Sequence, residues 1–127
     1  MNLSEHFTLA EATVSQTAAR AGIDNTPDAA MIEELRKTAQ FMEHVRDVLG
    51  KPITVTSWYR CPALEDVIAP GKRTVGHHTL GAAVDFICPA YGSPLEIAAR
   101  LSTMSAALGI GQIIYEFGAW VHISRLP

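Results

Sequence analysis

Two apolar stretches of this sequence each hold a residue that is expensive to bury. Asp85 lies inside Ala83-Val84-Asp85-Phe86-Ile87, and His122 lies inside Trp120-Val121-His122-Ile123-Ser124. A carboxylate taken out of water needs a cation, a metal or several donors. Strand alternation sets Trp120, His122 and Ser124 on one face and Val121 and Ile123 on the other. His78 stands seven residues ahead of Asp85. If the two strands are neighbours, imidazole, carboxylate and imidazole converge. Three protein ligands with a fourth position left to water is the layout of catalytic rather than structural zinc. Each residue also has a plainer reading. A strand histidine is commonly a satisfied core or surface residue, Asp85 alone can be salt-bridged, and a His-to-Asp spacing of this kind recurs by chance.

Two further residues have chemical potential. Glu116 precedes His122 by six residues, at the end of a strand leading into a hairpin. There it either reaches the same cavity, where it suits a general base for an activated water, or faces solvent. Arg60 follows a strand in Ser57-Trp58-Tyr59-Arg60-Cys61-Pro62. It either clamps a substrate carboxylate in bidentate fashion or lays its stem over Trp58 or Tyr59. Cys61 and Cys88 lack a Cys-x-x-Cys partner, so thiol ligation is disfavoured and reduced, buried thiols are expected. His6 and His44 read as surface residues.

The elements that must position these groups follow from pattern. Thr8 and Glu11 fit a capping box ahead of a helix over 9–20, with Gly22 as its stop. Thr26-Pro27 reads as a second start. Beyond it Met31, Leu35, Phe41 or Met42, Val45 and Leu49 form one apolar helical stripe ending at Gly50. Ile53 to Ser57 alternates as a half-buried strand. Residues 58–80 show no period and read as a long irregular connection, which is often where function resides. Ala83–Ile87 is a strand, 94–108 a helix opened by Ser93-Pro94 and stopped by Gly109, and Gln112–Glu116 with Trp120–Ser124 a hairpin. Helices first and strands later predict an α+β fold, with N-terminal helices packed on a small, mostly antiparallel sheet.

Composition narrows the function classes. A chain of 127 residues with 48% hydrophobic and 18% charged residues predicts one globular domain over 1–127. A net charge of −3 argues against nucleic-acid binding through a basic face. No apolar run approaches the roughly 20 residues of a membrane span, so no integral membrane association is expected. The opening residues show no basic region followed by an apolar stretch, so no secretory signal is read. A monomer is favoured.

The chain resembles the M15 zinc peptidases of the D-alanyl-D-alanine carboxypeptidase type, and within them the compact members common among phage and prophage cell-wall enzymes. The carrying residues are Thr56 to Pro62, His78 to Phe86, Glu116, and Trp120 to Ser124. The family pattern His-x-x-Gly-x-Ala-x-Asp fits His78, Gly81, Ala83 and Asp85. The resemblance implies one Zn2+ held by His78, Asp85 and His122, with Glu116 as general base and Arg60 as a substrate-binding arginine. Trp58, Tyr59 and Trp120 would wall the cleft, and His77 would line it. The implied reaction is hydrolysis of a peptidoglycan stem-peptide bond involving a D-amino acid, of D-Ala-D-Ala carboxypeptidase or L-Ala-D-Glu endopeptidase type. Lacking a signal, such an enzyme would act on the wall after release, by lysis or as a virion component. Two departures stand out. Gly76 occupies a position often held by serine, with Thr74 nearby. The six-residue interval from Glu116 to His122 differs from the Glu-x-x-His of some relatives and matches the hedgehog signalling domain, which shares the zinc architecture. A zinc-containing, non-hydrolytic module binding the cell wall or a protein is therefore the alternative.

Overall fold

The computed structural model describes residues 1–71 and 75–127. Its elements run α1 (Leu9–Thr13), α2 (Gln16–Ala21), α3 (Ala29–Leu49), β1 (Thr54–Ser57), α4 (Pro62–Ile68), β2 (Ala83–Ile87), α5 (Pro94–Ser102), α6 (Ser105–Leu108), β3 (Gln112–Glu116) and β4 (Trp120–Ser124). The four strands form one antiparallel sheet in the order β1-β2-β4-β3. This is the α+β architecture that the pattern of elements predicts.

The two faces of the sheet have opposite polarity because a strand alternates with a period of two. Val84 and Phe86 of β2 and Val121 and Ile123 of β4 join Leu35, Met42 and Val45 of α3 and Ile97 and Leu101 of α5 in one hydrophobic core. The pairing of Val84 with Ile123 and Phe86 with Val121 leaves Asp85 directly opposite His122 on the other face. Slipping either strand by one residue would send its polar group into the core and its apolar side chains to the other face, so the core's apolar demand fixes the site's alignment.

Four local expectations are corrected by the structure. The helix over 9–20 breaks at Val14, because the Ser15 hydroxyl accepts from the Ala18 amide at 3.1 Å and starts a new helix. The long helix starts after Asp28 rather than Thr26: the Asp28 carboxylate accepts from the Met31 amide at 2.8 Å. The Thr26 amide donates instead to Asp24. The helix over 94–108 divides at Thr103 and Met104 into α5 and α6. Within the connection read as irregular, α4 forms with Pro62 in its first turn and Leu64 and Glu65 buried. The Thr8–Glu11 capping box is present as read.

Gly81 is the pivot between His78 and β2. Its φ is +71°, a region that favours glycine, and a Cβ there would lie 2.7 Å from Met31 Sδ and 3.2 Å from Leu35 Cδ2. Its carbonyl accepts from Thr38 Oγ1 (2.6 Å) and Trp58 Nε1 (3.2 Å), tying the turn to α3 and to the segment after β1. At the other end of α3, Glu43 accepts from Ser4 Oγ (2.6 Å) and the His6 amide (2.7 Å) and pairs with His6 Nδ1 (2.7 Å). Partial burial opposes its charge, but the Ser4 and His6 hydrogen bonds outweigh that and hold the Glu43 carboxyl below its ordinary value.

Gly81→Ala is expected to destabilise the protein by about 1–3 kcal/mol through backbone strain and the Met31 clash, read as a fall in denaturation midpoint. Glu43→Gln is expected to cost about 1 kcal/mol at pH 7. Because the folded pKa is depressed, the wild-type advantage is present above the unfolded carboxylate pKa. It disappears as pH falls through the lower, folded value. Urea titrations of both proteins between pH 7 and pH 3 check this.

Candidate metal centre

The segment that delivers Arg60 and His78 is held by buried hydrogen bonds. Asn25 Nδ2 donates to the carbonyls of Thr13 (2.9 Å) and Tyr59 (3.0 Å), and its Oδ1 accepts from the Cys61 amide at 2.8 Å. The Tyr59 amide donates to the Ala12 carbonyl. The Trp58 carbonyl is thereby presented to His78, whose Nδ1 donates to it at 2.6 Å.

His78, Asp85 and His122 are all buried, and one potential ligand atom from each lies within 4.8 Å of the others. Nε2 of His78 and Nδ1 of His122 approach the same oxygen, Asp85 Oδ1, at 3.2 and 3.1 Å. The outer nitrogen of His122, Nε2, meets Gln112 Oε1 at 3.1 Å. A carbonyl only accepts, so His78 carries its proton on Nδ1. A neutral His78 ring so held turns its Nε2 lone pair toward Asp85 Oδ1, the orientation of a metal ligand beside a second ligand. With Gln112 Oε1 as acceptor, His122 carries its proton on Nε2, the opposite tautomer, and turns its Nδ1 lone pair toward the same Asp85 oxygen. The two ring centroids lie 5.2 Å apart. The separations of 3.1 and 3.2 Å lie near the edge of a tetrahedron with bonds of about 2.0–2.1 Å, roughly 3.3 Å. Two neutral imidazoles and a carboxylate at this spacing fit a zinc ion.

Asp85 is ready as a ligand. Burial opposes its ionisation, but when the His122 and His78 rings are charged, their N–H groups facing Oδ1 outweigh it and hold the carboxyl at about 2; a metal cation bound by neutral rings would take over that role. Its second oxygen is taken by Arg60: Nη2 lies 3.3 Å from Asp85 Oδ2. Nη1 of Arg60 lies 3.5 Å from Glu65 Oε2, and its Nε donates to Ser57 Oγ at 3.2 Å. Arg60 therefore acts first on Asp85, turning Oδ1 inward, while its side chain lines the cavity.

The cavity encloses about 670 Å³. Its floor is the three buried side chains. Glu116 stands beside them, part-buried, with Oε1 3.8 Å from His122 Nδ1. His77 and Trp120 also line it, with His77 Nδ1 paired to Ser124 Oγ at 2.8 Å. The indole N–H of Trp120 is buried without a hydrogen-bond partner among the described residues. Gly76 lies on the wall, and Thr74 falls outside the described residues.

Trp58 and Tyr59 are corrected. Trp58 is 1% exposed, and both residues belong to the hydrophobic core rather than to the cavity wall. Trp58 meets Phe7 edge-on and contributes its carbonyl and its indole N–H to holding His78 and Gly81. Gln112 and Glu65 were not anticipated. Alternation along β3 places Gln112 on the face of Glu116, which was the available signal for it. Cys61 and Cys88 are free thiols, Cys88 buried and Cys61 half-buried.

Two histidines and an aspartate at the floor of an open cavity, with a glutamate alongside, form a set that could hold one metal ion. The chain belongs to the M15 peptidases, a zinc-dependent family: the family model described as Peptidase M15 matches residues 5–124. Searches of curated proteins and of solved structures return no significant match. Among the described residues, no helix is long and apolar enough to cross a membrane.

Gln112→Ala is expected to weaken zinc binding about 10–100-fold, the usual effect of removing the acceptor behind a ligating imidazole. Competition with a chromophoric chelator measures it, with the apo fold checked by circular dichroism.

Proposed function

We propose that this chain is a zinc-dependent peptidase that hydrolyses peptidoglycan stem-peptide bonds involving D-amino acids, of D-Ala-D-Ala carboxypeptidase or L-Ala-D-Glu endopeptidase type. One domain acting as a monomer accounts for the activity, and the enzyme meets the wall after release from the cell in which it is made. The observation that carries this reading is the Glu116 carboxylate inside the cavity, 3.8 Å from a ligand nitrogen. A purely structural zinc site has no use for a base there.

Zinc held by His78, Asp85 and His122 would supply Lewis acidity and a water acidic enough to lose a proton near neutral pH. Glu116 accepts that proton on a carboxylate oxygen and later returns it to the leaving amine. Trp58 and Gln112 keep the ring protons of His78 and His122 on the outer nitrogens, so both inner lone pairs stay available. Arg60 holds Asp85 Oδ2 and lines the cavity, where it would also meet a substrate carboxylate. His77, braced by Ser124, and Trp120 bound the space in which the peptide lies.

Incubating purified peptidoglycan with the enzyme should release new amino groups, lose that release with chelator and regain it with zinc. Glu116→Gln should keep one zinc per chain and lose about 10²–10⁴-fold in turnover. Mass spectrometry of the fragments names the bond. Binding to the wall without release would instead make the chain a non-hydrolytic module, and wild-type turnover by Glu116→Gln would remove the general base.

A further inference from the structure

The turn between β3 and β4 holds a residue that folding does not select. The Ala119 amide donates to the Glu116 carbonyl at 3.0 Å, closing a turn on Phe117 and Gly118. Both central residues have positive φ, +54° for Phe117 and +66° for Gly118. Such hairpin turns favour Asn-Gly, Asp-Gly or Gly-Gly, because a bulky side chain is strained in the left-handed region. Among the described residues, Phe117 is the one non-glycine residue in that region. Its ring gains nothing from the core, since the residue is 85% exposed. The turn thus holds a large aromatic residue against both backbone preference and burial.

Its position supplies a reason. Phe117 lines the cavity, one residue after Glu116, with its ring centroid 5.4 Å from that of Trp120 at a tilt of 59°. Ile68, Val75 and Ile114 line the same cavity and are also exposed. An apolar rim thus surrounds a floor of imidazoles and carboxylates. Ligand sites commonly have this build, with apolar walls supplying affinity and a few polar groups fixing orientation. Backbone strain of this kind also concentrates at functional sites.

We propose that Phe117 is a substrate-contact residue: with Trp120 it forms an aromatic ledge that packs on the backbone and short apolar side chains of the peptide lying over Glu116. The assignment rests on the peptidoglycan reading above. A ring face suits amide planes and methyl groups, as an alanine-rich peptide presents them. The same turn sets both groups, so the ledge and the base keep a fixed separation along the bound chain.

Phe117→Gly, Phe117→Ala and Phe117→Leu separate contact from scaffold. Glycine suits the positive φ, so Phe117→Gly should unfold at or above the wild-type temperature, and all three variants should keep one zinc per chain. Phe117→Gly and Phe117→Ala should raise KM on soluble wall peptides about tenfold or more, with kcat little changed, as expected when binding common to ground and transition states is lost. Phe117→Leu should recover much of the loss. Carrying the same changes into Glu116→Gln should weaken co-sedimentation with purified sacculi, which reads binding without turnover. Wild-type KM and sacculus binding in the glycine and alanine variants would overturn the proposal. So would a fall in kcat at unchanged KM, which would make Phe117 only a support for Glu116. Failure of the wild-type protein either to cleave or to bind sacculi would instead strike the peptidoglycan reading itself, and this assignment would fall with it.

Discussion

The Asp85 carboxylate, buried in the middle of an antiparallel sheet, constrains much of the rest of this structure. Desolvating a carboxylate costs more than a marginally stable domain tolerates unless positive charge and donors surround it. Here three groups converge on it: Arg60, a cation, from the segment after β1, and His122 from the neighbouring strand and His78 from the turn ahead of β2, which face its other oxygen as charged donors or as fellow ligands of a metal. Each is anchored in turn, His122 by Gln112, His78 by the Trp58 carbonyl and Arg60 by Ser57 and Glu65. Removing an anchor frees a ring or a guanidinium to rotate, and the carboxylate then loses a partner it needs to stay ionised.

The hydrophobic core and the metal centre are two readings of one strand pairing. Burying Val84, Phe86, Val121 and Ile123 against α3 and α5 requires the register that sets Asp85 opposite His122. Stability and site geometry therefore do not compete in the central strands. Departures from folding preference occur instead in the β3–β4 turn and at the end of β4 that follows it. The buried Trp120 N–H has no partner among the described residues and Phe117 has a positive φ, and both lie beside the cavity. That distribution fits a rigid scaffold whose polar floor is set by the sheet and whose rim is set by a turn.

Much of this was legible from local pattern. Period-two alternation identified β2 and β4, and two polar residues in apolar strands marked the site before any partner was known. The interval from His78 through Gly81 to Asp85 carried the family resemblance because a turn with a positive-φ glycine must join the ligand to the strand. What stayed hidden depends on contacts distant in sequence. Gln112 acquires its role from cross-strand neighbours, and Glu65 lies on a seven-residue helix too short to show a period. Trp58 and Tyr59 are adjacent to Arg60 in sequence, yet the core takes both rings and leaves only Arg60 at the cavity. The helix breaks at Ser15 and Thr103 are decided by single capping or turn interactions, which apolar periodicity does not register.

X-ray absorption spectroscopy of the zinc-loaded protein tests the central claim most directly. The account predicts a first shell of nitrogen and oxygen only, at about 2.0–2.1 Å, with the outer-shell scattering of two imidazoles. A sulfur shell near about 2.3 Å, or scattering from fewer than two imidazoles, would contradict it.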